Sequence, residues 1–321
     1  MVTIGYHASH EQFTPSALIR YAKMAEDAGF VGGMCSDHLH PWSEDQGESG
    51  HAWTWLGAAL QATTQGTYGV VTAPVQRYHP AVIAQACATL ADMFPGRFWV
   101  AMGSGEALNE HVTGEPWPRE EVRDLRLKEA VDVIRALWAG ELVNHQGLIR
   151  VEEAKLYTLP ETLPLLIGAA VTRETAGWVA GWADGFVTVN RDPGDLAEVA
   201  ERFHQGGGEG KPMYLQVHVS YAESEEEAYA GAYDQWRTVI FPSDVLASLD
   251  MPSQFDAAAT FVRPEDLDRH IWISNDLDRH IEWLQRCIDL GFDVINVHNV
   301  NRDQERFIEA YGKHVLPALQ E

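Results

Sequence analysis

Lysine is scarce in this chain. Its 321 residues carry 47 acidic side chains against 23 basic ones, a formal charge of −24. The lysines are Lys23, Lys128, Lys155, Lys211 and Lys313. Nucleic acids and anionic lipids are bound through basic patches that displace counterions, so this composition argues against both as partners. Long apolar runs are missing as well: none approaches the roughly eighteen residues of a membrane span. The opening residues, Met1-Val-Thr-Ile-Gly-Tyr6, lack the basic and apolar segments of a secretory signal. Cys35, Cys87 and Cys287 are odd in number and far apart, which points to neither a disulfide framework nor a Cys-x-x-Cys site. The word Asp-Leu-Asp-Arg-His-Ile occurs at 266–271 and 276–281, an echo too short to mark a repeat protein. What remains is a cytoplasmic globular chain with an ordinary hydrophobic fraction of 45%.

Short β-rich runs alternate with amphipathic ones. Extended runs are expected at Thr3–Tyr6, Gly32–Asp37, Tyr68–Pro74, Arg97–Gly103, Pro164–Ile167, Gly185–Val189, Met213–Val219 and Asp293–His298. Helical patterns follow them, among them Pro15 to Gly29, one opening at Pro80, and a long one over Val122 to Trp138. The acidic run Glu223–Glu227 reads as a helix start, where the helix dipole favours negative charge. Eight strand–helix alternations predict a single (β/α)₈ TIM barrel over 1–321. A hairpin insertion is expected at about 141–160, and a second insertion over the barrel mouth at about 242–264.

Barrel enzymes place their chemistry at the C-terminal strand ends. Polar clusters fall there at Ser36–Trp42, Val70–Pro74, Gly103–Glu110, Gly168–Glu174 and Thr188–Asp192. His38 and His40 have the spacing of a metal-binding pair, and His218 and His298 lie near other strand ends, so a metal-dependent hydrolase is one reading. Gly103-Ser104-Gly105-Glu106 is neither a Walker motif nor a dinucleotide fingerprint. It can bring backbone amides to a ligand and leave Glu106 facing the mouth, where His38 would make an acid–base pair with it.

Four motifs in order resemble a known family. They are Gly5-Tyr6…Ser9…Glu11-Gln12-Phe13-Thr14-Pro15, Ser36-Asp37-His38…Pro41-Trp42, Arg77-Tyr78-His79-Pro80-Ala81-Val82-Ile83-Ala84-Gln85 and Gly103-Ser104-Gly105-Glu106-Ala107-Leu108-Asn109-Glu110. They look like the glucose-6-phosphate dehydrogenase-like branch of coenzyme F420-dependent oxidoreductases, within the bacterial-luciferase-like superfamily. The resemblance implies a deazaflavin across the barrel mouth that takes hydride at C5 from an alcohol, and a homodimer. It implies cofactor contacts at Asp37, at a bulge with a non-proline cis peptide at Val70-Val71, and at Ala73, Ser104, Gly105 and Asn109. A phosphate site is implied at Ala170, Val171, Arg173 and Glu174. The catalytic pair is His38 and Glu106, with Trp42 walling the reacting centre. His38 faces the substrate hydroxyl and Glu106 faces N1 of the deazaflavin, while Glu11 orients the hydroxyl or serves as an alternative base. A flavin mononucleotide enzyme of the same superfamily, a monooxygenase or reductase, is the alternative.

Sugar-phosphate members of that branch clamp the phosphate with two lysines and an arginine. Aligned here, the first lysine falls on Arg191, the second near Leu246 and the arginine near His270; a histidine beside the second lysine falls near Ala247. One cation in place of three would desolvate a dianion poorly. The expectation is therefore a neutral secondary or sugar-like alcohol, or a hydroxylated natural product, rather than glucose 6-phosphate, with Thr188 and Arg191 at the substrate and Phe241, Phe255, Phe261 or Trp272 lining the pocket or serving as core.

Overall fold

The β-rich runs pair in parallel, and the amphipathic stretches between them wrap the outside. The computed structural model describes residues 2–319. Its strands are β1 (Thr3–Ala8), β2 (Gly32–Ser36), β3 (Thr67–Thr72), β4 (Phe98–Met102), β5 (Val143–Gln146), β6 (Arg150–Ala154), β7 (Leu165–Ala169), β8 (Gly185–Val189), β9 (Met213–Ser220), β10 (Trp272–Ile273) and β11 (Val294–Asn299). Eight of these close a parallel barrel in the order β9-β11-β1-β2-β3-β4-β7-β8, and β8 returns to β9. β10 extends the β9 edge beyond β8, pairing Trp272 with Val219. β5 and β6 form an antiparallel hairpin in the 141–160 insertion.

The helices are α1 (Pro15–Ala28), α2 (Ala52–Ala62), α3 (Pro80–Met93), α4 (Ala107–Glu110), α5 (Glu120–Trp138), α6 (Arg173–Val179), α7 (Pro193–Phe203), α8 (Glu225–Trp236), α9 (Ser243–Leu246), α10 (Pro252–Ala258), α11 (Leu277–Asp289), α12 (Gln304–Ala310) and α13 (Leu316–Ala318). Their ends follow local chemistry. Thr14 caps α1 by accepting from the Ala17 amide, Pro15 opens it, and Gly29 closes it at φ 105°. In α8 the acidic start includes a capping box, with Ser224 and Glu227 satisfying each other's backbone amides. The mouth insertion contains the short helices α9 and α10. No helix among the described residues is long and apolar enough to cross a membrane.

Side chains alternate along each strand between the lumen and the helix layer. One side of the lumen is apolar: Met34, Trp99, Ala101, Ile167, Val187 and Tyr214 pack together, with Val71, Ala169 and Val294 against them. The other side, on β9, β11 and β1, is polar. There Gln216 is in register with Asn296, and His218 with His298. His7 on β1 completes a row of imidazoles, with ring centres 4.5 Å from His7 to His298 and 5.4 Å from His298 to His218.

Two expectations are corrected by strand geometry. No cis peptide bond occurs among the described residues. β3 keeps register with β2 and β4 through both Val70 and Val71, so the expected bulge is not formed. Val70 also faces the helix layer and is fully buried there, which leaves Val71 as the lumen residue. Thr188, between the lumen-facing Val187 and Val189, likewise points away from the lumen; its hydroxyl is buried without a protein partner.

Gly69 is required because the Trp99 indole fills its place in the lumen; a Cβ there would approach the ring to 2.1 Å. Gly69→Ala should therefore destabilise the barrel by about 1–3 kcal/mol, the usual range for overpacking a tight core. A urea midpoint unchanged from wild type would show that Trp99 can move aside.

Candidate functional site

The turns after β1, β2 and β4 bring three ionisable groups to one point at the mouth. Glu11 follows β1, His38 and Trp42 follow β2, and Glu106 follows β4. His38 stands between the two carboxylates, with Nδ1 2.7 Å from Glu11 Oε1 and Nε2 3.6 Å from Glu106 Oε2. Glu11 is buried and also accepts from the Ser9 hydroxyl at 2.8 Å. Glu106 is 32% exposed and His38 15%, so this end of the pair is open to a ligand. Trp42 meets the His38 ring edge-on at 5.2 Å and Phe255 of α10 at 5.3 Å, which makes it a wall.

The electrostatics follow from burial and pairing. Burial alone would lower the His38 pKa, but the charge and hydrogen bonding of Glu11, with the charge of Glu106, raise it above its usual value. Burial would raise Glu11, yet His38 and then His7 outweigh it and hold the carboxyl at about 2. Desolvation pushes Glu106 up, and the neighbouring Glu11 adds to this against the opposing pull of His38. Two carboxyls flanking one imidazole are thus driven in opposite directions, a pattern that divides acid and base roles.

Asn109 ties the parts together. Its Oδ1 accepts from the Leu39 and His40 amides at 2.8 and 3.3 Å, and its Nδ2 donates to Glu106 Oε2 at 3.2 Å. Beneath, Asp37 is buried and fully engaged. It accepts from Trp53 Nε1 at 3.0 Å and Thr72 Oγ1 at 2.8 Å, with Tyr78 and Arg77 each at 3.3 Å. The Arg77 amide also donates to Glu110 at 2.6 Å. Asp37 therefore holds the loop; its carboxylate is already committed to the protein. Above, the 242–264 insertion grips both sides of the site, since Ser43 donates to Asp256 at 2.7 Å and the Ala107 amide to Ala247 O at 3.0 Å.

The remaining expected residues divide. Val71, Ala169 and Val189 are partly exposed at the mouth and offer a flat apolar seat, beside Ala73, Ser104 and Gly105. Gly105 has φ +81°, a left-handed conformation suited to glycine. The Ser104 hydroxyl is turned toward Asp124. The expected phosphate site is only partly formed. The Ala170 amide already donates to Val187 O at 3.0 Å, and exposed Arg173 is paired with Glu198, leaving Val171 and Glu174 exposed beside it. Arg191 does not reach toward His38; its Nη2 donates to Val171 O at 2.6 Å. Among the candidate aromatics, Phe255 is core behind Trp42, Phe261 is exposed, and Trp272 stacks on Trp283 in the outer layer. Phe241 packs, partly buried, in the mouth cluster around Trp236.

Of the histidines expected of a metal site, His218 and His298 are neighbours in the lumen, but His38 is engaged by Glu11 and His40 is turned away. His40 Nδ1 contacts Leu108 O at 2.9 Å and its ring stacks on His111, while His298 Nε2 contacts Gln12. No cluster of three or more His, Cys, Asp or Glu suited to a metal occurs among the described residues. Sequence reasoning assigned no role to Gln12, Arg77, Glu110 or Gln216. Gln12, Arg77 and Glu110 lie inside the quoted motifs, and the i, i+2 spacing of Gln216 and His218 on one strand face is the available signal for the last.

The luciferase-like monooxygenase family profile matches residues 1–294. The chain belongs to the luciferase-like family. Within it, the chain is 36% identical over 329 residues to an F420-dependent glucose-6-phosphate dehydrogenase of Microbacterium testaceum, covering 98% of this chain and 97% of that one. It is 35% identical to the protein of the same name from Nakamurella multipartita, covering 99% and 97%. Among solved structures, an F420-dependent secondary alcohol dehydrogenase in complex with an F420–acetone adduct superposes with a TM-score of 0.92 at 30% identity, over 100% of this chain and 99% of that one. The F420-dependent tetrahydromethanopterin reductase of Methanopyrus kandleri, at 19% identity and a TM-score of 0.79, shares the fold.

Because Glu11 dominates the upward pull on His38, Glu11→Gln should lower the imidazole's midpoint. Titration of the His38 ring protons by NMR tests this; an unmoved midpoint would show that Glu106 alone sets it.

Proposed function

We propose that this chain is a coenzyme F420-dependent dehydrogenase of a neutral alcohol. The observation that carries the reading is His38, held between a buried carboxylate at 2.7 Å and a half-open one at 3.6 Å, at the rim of a cup with an apolar seat. The names and structural likeness of the relatives supply the cofactor. The residues present suit a flat ring system: Val71, Ala169 and Val189 would provide apolar contact, and Glu106, with its raised pKa, would donate or accept a proton beside it. When bound, the deazaflavin supplies a hydride acceptor.

The protein's own groups handle the proton. Neutral His38 accepts the hydroxyl proton at Nε2 while Glu11 stabilises the imidazolium that forms, as a buried carboxylate does for a catalytic histidine. Glu106, fixed by Asn109, holds a proton at the cofactor edge, and Trp42 with the α9–α10 insertion excludes water. Glucose 6-phosphate is a poor fit. Arg191 is turned to a backbone carbonyl, burial lowers the His270 pKa and so favours its neutral form, and Leu246 and Ala247 carry no charge.

Purified protein should bind the deazaflavin in preference to flavin mononucleotide, and should bleach it with secondary alcohols but not with glucose 6-phosphate. His38→Ala and Glu106→Gln should each lower kcat by roughly 10²–10⁴-fold, the usual worth of a positioned acid or base. Unchanged turnover in either variant would remove that residue from the mechanism.

The pH profile has a defined sign. His38 must be neutral to accept a proton, and its pKa is raised, so oxidation should accelerate as pH rises through that value. Glu11→Gln should move the rising limb to lower pH. A limb that moves upward would contradict the assignment of His38 as base.

A further inference from the structure

The polar side of the lumen contains a pair of groups that the oxidation step leaves unused. Gln216 and His218 lie two residues apart on β9, both facing the lumen, and Gln216 is partly exposed in the cup. The Gln216 amide nitrogen lies 3.2 Å from His218 Nε2. An amide nitrogen can only donate, so His218 Nε2 is the acceptor of that bond and, in a ring that burial keeps neutral with a pKa of about 3, the proton resides on Nδ1. What Gln216 presents beyond that bond is an acceptor, its Oε1, and a donor, the second N–H of its amide nitrogen, side by side in one plane.

The pair is held rigidly. The His218 amide donates to Asn190 Oδ1 at 2.9 Å. Trp236 packs on both His218 and His298, with ring centres at 5.6 and 4.5 Å. His298 is fixed in turn by Gln12, whose amide donates to Val300 O at 2.7 Å and whose Oε1 lies 2.8 Å from His298 Nε2. Behind the pair, His7 Nδ1, His298 Nδ1 and Asn296 Nδ2 are buried with no partner within the protein. This side of the cup is built to form hydrogen bonds with neutral groups.

We infer that Gln216, oriented by His218, recognises a hydroxyl of the substrate other than the one oxidised, so that the donor is a neutral diol, polyol or sugar. This rests on the proposed alcohol oxidation. A hydroxyl both donates and accepts, so it can pair with the oxygen and the remaining N–H of the Gln216 amide. A phosphate or carboxylate oxygen can only accept, and would face the Gln216 lone pairs and the nearby Glu11 charge. An alkyl group would leave one donor and one acceptor unpaired, the situation in which a site rejects the analogue lacking a hydroxyl most strongly.

The test uses matched probes: 2-propanol against 1,2-propanediol, and cyclohexanol against 1,2-cyclohexanediol. Wild-type kcat/KM should favour the diols by about tenfold or more, mostly through KM. Gln216→Leu should remove the preference, its loss falling on the diols. His218→Gln, which keeps an acceptor for the Gln216 amide, should retain more of the preference than His218→Leu. Cofactor-free protein provides a second readout: tryptophan fluorescence should saturate with myo-inositol in wild type and not in Gln216→Leu. Equal wild-type rates on mono-ols and diols, or equal losses on both in Gln216→Leu, would overturn the inference while leaving alcohol oxidation standing. Saturable inositol binding without turnover of any alcohol would instead overturn the proposed reaction and leave the hydroxyl reading intact.

Discussion

The mouth of this barrel is organised around a buried carboxylate that needs a hydrogen-bonding partner. Glu11 is 1% exposed, and an unpaired charge at such depth would cost several kcal/mol. His38 is the group that answers it, and in doing so takes up one orientation: Nδ1 inward to Glu11, Nε2 outward toward Glu106 and the ligand side. The tautomer, the ring plane and the raised pKa all follow from that contact. Trp42 and Asn109 are arranged around an imidazole that is already in place, and Asn109 in turn orients Glu106.

The same economy of charge extends into the barrel. The lumen is apolar where β2, β3, β4, β7 and β8 contribute, with Tyr214 and Val294 at the start of β9 and β11, and polar where the later residues of β9 and β11 and His7 of β1 do. Each half suits a different partner, a flat ring system on Val71, Ala169 and Val189 and a hydroxylated molecule against Gln216 and His218. The imidazoles of the polar half are neutral because burial removes their charged forms: His7 falls to about 4 and His218 to about 3. They supply hydrogen bonds from neutral rings, and His38 is the imidazole in direct contact with Glu11.

Much of this was legible from residue patterns, and the exceptions have physical causes. The eight lumen strands were readable because each is a short β-rich run followed by a helical pattern. His38, Trp42, Glu106 and Glu11 were legible because they belong to motifs at strand ends. The α2 helix was not read, since Ala52-Trp-Thr-Trp-Leu-Gly-Ala-Ala is apolar nearly all round and has no side-chain cap. Val70 and Thr188 were misassigned for one reason: alternation decides which way a strand residue points, and nearness to the strand end says nothing about that. Arg173 and Asp37 were credited to a ligand without counting the partners the protein itself would provide, Glu198 in one case and four donors in the other. Gln216 has no motif, and its role emerges only when β9 and β11 are in register.

The acidity of the chain acquires a local meaning at this point. With few bases to distribute, the arginines near the mouth are occupied by the fold: Arg77 by Asp37 and Glu110, Arg237 by Asp45 and Asp256, Arg191 by a backbone carbonyl. An anionic substrate would have to take one of them from its present partner, leaving a carboxylate or carbonyl uncompensated. A neutral hydroxylated substrate requires no such exchange, because Gln216, oriented by His218, can bind it without charge. The charge imbalance and the neutral polar wall thus favour the same class of ligand. One acts by withholding cations and the other by offering a matched donor and acceptor.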